Sequence, residues 1–142
     1  MKLNIISDDE QAIENFSNIN VLKNTEELSE AIDHSFDEVV LYNTLHSLEQ
    51  EHANKVLELA CGKLRLNGEI KIISVDAKNL CRMLLNNQLK QDDFSSIVSG
   101  MKCFISIQTI KDIFAKNGIL ISTSSIKGYG YEIRGVRPSS QN

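Results

Sequence analysis

Apolar residues along this chain alternate between unbroken runs and stripes spaced three and four apart. Met1-Lys2-Leu3-Asn4-Ile5-Ile6 reads as a buried first strand entering the turn Ser7-Asp8-Asp9. Val39-Val40-Leu41-Tyr42 is a run without alternation, the pattern of a central strand buried on both faces of a sheet. From Glu49 to Arg65, Ala53, Val56, Leu57, Ala60, Cys61 and Leu64 form one stripe, with Glu51, Lys55, Glu58 and Lys63 left for water. Asn67-Gly68 is a helix stop, since both residues tolerate left-handed geometry, and Glu69 to Val75 reads as a second buried strand. The unit is strand–helix–strand, so a right-handed parallel crossover is expected.

Ile19-Asn20-Val21-Leu22 is a short strand candidate, and Asn24-Thr25-Glu26-Glu27-Leu28 a capped helix start with an acidic first turn. A helix from about Ala77 to Leu89 sends Leu80, Cys81, Met83, Leu84 and Leu85 toward the core, and a polar stretch from Gln88 to Ser99 follows. A further helix, Ser106 to Asn117, stops at Asn117-Gly118. Ile119 to Thr123 and Tyr129 to Val136 are strands joined by a turn at Lys127-Gly128, so they pair antiparallel. Strands interleaved with helices and closed by a hairpin define the expected fold class. It is α/β, a three-layer, Rossmann-like, mostly parallel sheet with an antiparallel C-terminal hairpin. Residues 1–137 are expected as one domain and 138–142 as a flexible tail.

Composition narrows the class. Of the 142 residues, 42% are hydrophobic and 24% charged, as in a soluble globular protein, and no apolar run is long enough for a membrane span. An N-terminal apolar segment is interrupted by Ser7-Asp8-Asp9-Glu10, so no signal peptide is read and a cytoplasmic location is expected. Cys61, Cys81 and Cys103 are an odd number at wide spacings with no CxxC or HxxxH pair, so neither a disulfide framework nor a metal signature is read, and Cys61 and Cys81 are expected in packing. The net charge of −4 is unevenly spread. Residues 1–60 hold 13 acidic and 3 basic side chains and residues 61–142 hold 6 and 12, so the halves carry −10 and +6. Opposed halves of this kind suit a protein partner or self-association better than nucleic acid.

Three segments carry a family resemblance: Ser35-Phe36-Asp37-Glu38-Val39-Val40, Leu45-His46-Ser47-Leu48-Glu49, and Leu64-Arg65-Leu66-Asn67-Gly68-Glu69-Ile70-Lys71-Ile72. In this order they resemble the C-terminal half of class I S-adenosylmethionine-dependent methyltransferases, and the helix ending at Gly118 with its closing hairpin fits the same order. Phe16 to Val21 is similar to the stretch before the second strand in small members that skip the third. The departures fall where the cofactor binds. No glycine precedes Gly62, so Ser7-Asp8-Asp9 replaces the family's Gly-rich turn, and no acidic residue stands near Leu22-Lys23 to take the ribose.

The resemblance therefore implies either of two functions. One is a degenerate methyltransferase-like domain that has lost cofactor binding and works as a structural or protein-interaction module; the other is an active small methyltransferase with an atypical cofactor loop. A nucleotide- or sugar-binding domain of another family has no motif behind it. If S-adenosylmethionine binds, Ser7, Asp8 and Asn43 are its candidate residues, because open α/β sheets hold ligands beyond the carboxyl ends of their strands. The plainer reading makes Asp8 a helix cap and Asn43 a turn residue. No catalytic residue or metal ligand is assigned. His46 and His52 lie six apart, off any common helix face, and Tyr129 and Tyr131 alternate with Lys127 and Arg134 nearby.

Overall fold

The computed structural model describes residues 1–139. Its six strands are β1 (Lys2–Ile6), β2 (Ser17–Asn20), β3 (Phe36–Tyr42), β4 (Leu64–Val75), β5 (Leu120–Lys127) and β6 (Gly130–Val136). The helices are α1 (Glu26–Glu30), α2 (Gln50–Lys63), α3 (Ala77–Leu85), α4 (Gln91–Ser99) and α5 (Ile107–Lys116). The sheet order is β2-β1-β3-β4-β6-β5. β1, β2, β3 and the first side of β4 are parallel, and β6 runs antiparallel to both β4 and β5. The mostly parallel sheet with an antiparallel closing hairpin is thus formed, with α2 crossing between parallel neighbours β3 and β4.

One core cluster holds the sheet. Leu3, Ile5, Val39, Leu41, Ile70, Ile72 and Ile133 face Leu28 of α1, the Ala53-Val56-Leu57-Ala60 stripe of α2, and Ile110 and Phe114 of α5. The other side of the same strands is mixed, with charged groups around the buried Ile6 and Val40. Glu132, nearly buried, accepts from Lys127 and Arg134 at 2.8 Å each, Lys71 lies 3.9 Å away, and Lys2 meets Glu38 at 3.7 Å. The Lys127 and Arg134 cations hold the Glu132 carboxyl below its ordinary range.

Several boundaries differ from the sequence expectation. α2 stops at Lys63, and Leu64 enters β4 directly; Asn67-Gly68 lies within β4, where the register with β3 jumps between Phe36 and Glu38. Asn67 takes the left-handed conformation there (φ 66°), and a Cβ on Gly68 would sit 3.0 Å from the Asp37 carbonyl oxygen. These residues are a bulge, not a helix stop. Part of the stretch expected as polar loop is α4, whose Phe94, Ile97 and Val98 carry a helical spacing that the surrounding polar residues mask. Cys81, expected in the core, is exposed, while Cys61 is buried and its thiol is pushed up to about 12 by burial. The expected tail lies, from residue 140 on, outside the described residues.

Long-range polar contacts lock the helices down. Lys63 is only 2% exposed; its ammonium donates to the carbonyls of Ser29 and Ala31 at the end of α1 and to Asp33 at 2.7 Å. Arg137 donates to the carbonyls of Cys61, Leu64 and Asn117, joining the C-terminal ends of α2 and α5, where a cation also meets the helix dipoles. Val56→Asp should cost roughly 3–5 kcal/mol, because it puts an unpaired charge into the α2 stripe. Glu58→Ala, which loses only an exposed ion pair with Lys116, should cost no more than about 1 kcal/mol. Urea denaturation of both variants checks this, and equal losses would contradict the assigned helix face.

Candidate functional site

Ligands of open α/β sheets sit beyond the carboxyl ends of the parallel strands. In this chain that end is shaped by an unusual connection. β1 and β2 are parallel neighbours, yet residues 7–16 between them contain only a 3-10 turn, Asp9–Gln11, in place of a crossover helix. Asp8 caps that turn: its carboxylate accepts from the Glu10 amide at 3.0 Å. The plainer reading of Asp8 describes its contact.

Gln11 fills the turn from inside. Its side-chain oxygen accepts from the Ser7 amide at 3.0 Å and the Asp8 amide at 3.2 Å, and its side-chain nitrogen donates to the Tyr42 carbonyl at 3.2 Å. Two more amide side chains hold the crossover. Asn4, 1% exposed, donates to the Gln11 carbonyl and to Asn18 at 2.8 Å; Asn18 in turn accepts from the Ile13 amide and donates to the carbonyls of Ile13 and Phe16. At the end of β2 stands Asn20, which donates to the Asp9 carboxylate at 3.0 Å. The backbone donors that a Gly-rich turn offers to a ligand are therefore bonded within the chain at Ser7 and Asp8, and the strand that would present an acid to a ribose ends in an amide.

Of the three candidate residues, Ser7 is buried, whereas Asp8 and Asn43 are exposed. Asn43 has φ 58°, and its amide continues the ladder to the Ile73 carbonyl at 2.8 Å, so it makes the turn after β3. Thr44 donates to the Ile5 carbonyl at 2.7 Å and ties the ends of β1 and β3 together. Cavities of about 360, 690 and 330 Å³ open on the surface, and Ser7, Asp8 and Asn43 line none of them. The first lies past β4, between Ala77-Lys78 and the Phe104–Gln108 segment leading into α5.

Beside β4 the structure forms a pair that the spacing of the histidines does not reveal. His46 Nδ1 lies 2.9 Å from Ser74 Oγ, and burial lowers the pKa of its imidazole from 6.5. Ser74 is 1% exposed, which keeps its hydroxyl from acting as an external nucleophile. Tyr131 is buried, donates to the Ile105 carbonyl at 2.6 Å and has its phenol pKa raised by burial, while Tyr129 sits exposed in the hairpin turn. The two tyrosines form no aromatic face. Arg134 and Lys127 are bonded to Glu132, and Arg137 is spent on helix ends. Among the described residues no cluster of His, Cys, Asp and Glu could hold a metal, and no helix is long and apolar enough to cross a membrane.

This strand order and its antiparallel hairpin are those of a class I methyltransferase-like fold, and solved structures agree. An O-methyltransferase family protein from Burkholderia thailandensis superposes with a TM-score of 0.61 at 16% identity, over 87% of this chain and 36% of that one. Magnesium protoporphyrin IX methyltransferase from Synechocystis PCC 6803, solved with bound SAH, gives 0.55 at 15% identity over 78% and 48%. A chain of the complex between the Haloferax volcanii Trm112 methyltransferase activator and its methyltransferase gives 0.56 at 12% identity over 91% and 65%. The likeness at these identities is one of fold, and the chain spans 36% to 65% of the lengths of these three. No protein-family model matches the sequence, and no curated protein matches it.

The lowered pKa of His46 has a consequence for stability. Just below pH 6.5 the unfolded chain binds a proton that the folded chain refuses, so stability is full above that pH and falls as pH drops through the window. Asp33, Asp37 and Glu132, held low by Lys63, the N-terminal ammonium and Lys127, lose their contribution only below about pH 5. Melting curves between about pH 7 and 5 should therefore fall less steeply for His46→Gln than for the wild type. Identical slopes would remove His46 as the titrating group.

Proposed function

We propose that this chain is a class I methyltransferase-like domain that has lost cofactor binding and acts as a structural or protein-interaction module. The observation that carries this reading is the Gln11 carboxamide, which takes up the Ser7 and Asp8 amides and bridges them to Tyr42. S-adenosylmethionine does not fit that turn: it would have to displace Gln11 from the Ser7 and Asp8 amides and leave the Tyr42 carbonyl without its donor. Asn20, bonded to Asp9, cannot serve the ribose as a carboxylate would.

Protein partnership is the other half of the proposal. The fold occurs in a chain complexed with the Trm112 activator, so association is compatible with it. The charge asymmetry of −10 and +6 supports a partner docked electrostatically, although four ion pairs already join acids of the first half to bases of the second: Asp33 to Lys63, Asp37 to Arg65, Glu49 to Lys102 and Glu58 to Lys116. A cytoplasmic location belongs to the same reading. The alternative, an active methyltransferase with an atypical loop, draws on the exposure of Asp8 and Asn43.

Isothermal titration with S-adenosylmethionine distinguishes the two. The expected result is no binding tighter than about 100 μM, equivalent to roughly −5.5 kcal/mol. Micromolar binding abolished by Asp8→Ala or Asn43→Ala would overturn the proposal and establish the cofactor site.

A further inference from the structure

The two edges of the sheet are unlike. β2 is a strand of four residues, whereas β5 has eight, Leu120–Lys127, and among the described residues is paired with β6 on one side only. From Leu120 to Ile126 the edge carries no charge and no proline, and its Leu120 and Ile126 side chains are 64% and 56% exposed. Soluble proteins ordinarily blunt such an edge with lysines, prolines or a covering element, because its free amides and carbonyls template another strand. Here the only interruption is the register shift between Ile121 and Thr123, which leaves Thr123–Lys127 as a regular stretch.

We propose that β5 is a self-association edge, and that its partner is the β5 strand of a second copy of this chain, paired antiparallel about a two-fold axis. The stretch is complementary to itself. Thr123, Ser125 and Lys127 lie on the charged face of the sheet, opposite Arg134, Glu132 and Gly130, while Ser124 and Ile126 lie on the helix face. An axis through Ser125 sets Thr123 of one copy opposite Lys127 of the other and Ser124 opposite Ile126, so every residue keeps its face and the apolar Ile126 is covered. That register also resolves the charge problem. The two Lys127 side chains sit four residues apart along the strands, about 14 Å, beyond a Debye length of about 8–10 Å, and each is already bonded to Glu132. The product is one twelve-stranded sheet with α1, α2 and α5 of both copies on the same side, a closed dimer of the commonest symmetry. A single strand pair buries less than a standard interface, so the association is of the weak class. It does not depend on whether the cofactor site is closed.

Sedimentation equilibrium of the full chain at up to about 100 μM tests it together with a charge swap at the axis. Ser125 is exposed, and Ser125→Lys or Ser125→Glu places like charges directly opposite each other across the dimer axis; within one chain Ser125 faces Glu132, so the Glu variant also carries a like-charge cost in the monomer, which its melting curve measures separately. Each variant alone should associate roughly tenfold more weakly than the wild type, and an equimolar mixture of the two should restore the dimer. Amide exchange at Thr123–Lys127 should slow as the wild-type concentration rises. A wild type that stays monomeric throughout, or a dimer indifferent to both substitutions, overturns the proposal. Slow β5 exchange that does not vary with concentration also overturns it, since the chain would then be covering its own edge.

Discussion

Three amide side chains, Asn4, Gln11 and Asn18, hold the chain to a parallel β1–β2 pairing without a crossover helix. Parallel neighbours ordinarily need a dozen or more residues between them, with a helix supplying both the return path and the internal bonding of its backbone. A ten-residue connection with one 3-10 turn leaves many backbone groups without partners, and buried ones cost free energy unless they are satisfied. Asn4 and Asn18 bond the carbonyls of Gln11, Ile13 and Phe16, and Gln11 bonds the amides of Ser7 and Asp8. The carboxamide that completes the fold at this turn also takes up the Ser7 and Asp8 amides, so the bonding that stands in for a crossover helix engages those two donors.

Three helices pack on one apolar face of the sheet. α1, α2 and α5 share a continuous core with that face, and their ends are fastened by Lys63 and Arg137, two cations spent on helix-terminal carbonyls. The opposite face is more polar: Glu132 with its three cations, and Lys2 with Glu38, lie there around the buried Val40 and Asn4. Sequence-level charge asymmetry is therefore partly internal. Four of the acids in the first half and four of the bases in the second hold each other.

The periodicity of β3, α2 and β4 was legible because each is a long, strongly patterned element whose register follows from burial. The closing hairpin was equally plain, since its turn carries Gly128 with φ 57° between two β-rich runs. What periodicity could not convey was contact between residues distant in sequence. Asn4 within a buried strand and Gln11 in a polar loop look ordinary, and only the fold brings Gln11 to Tyr42, 31 positions away. The same holds for His46 with Ser74, and for Lys63, which its helical spacing assigns to water until the end of α1 is folded over it. The missing glycines signalled that something differs at the first turn, but composition gave no sign of what takes their place.

Amide hydrogen exchange at Ser7 and Asp8 tests the central claim most directly. If Gln11 closes the turn from within, both amides exchange slowly in the free wild-type protein, become fast in Gln11→Ala, and are unaffected by S-adenosylmethionine. Fast exchange at both positions in the wild type, or protection that appears only when S-adenosylmethionine is added, would contradict the account.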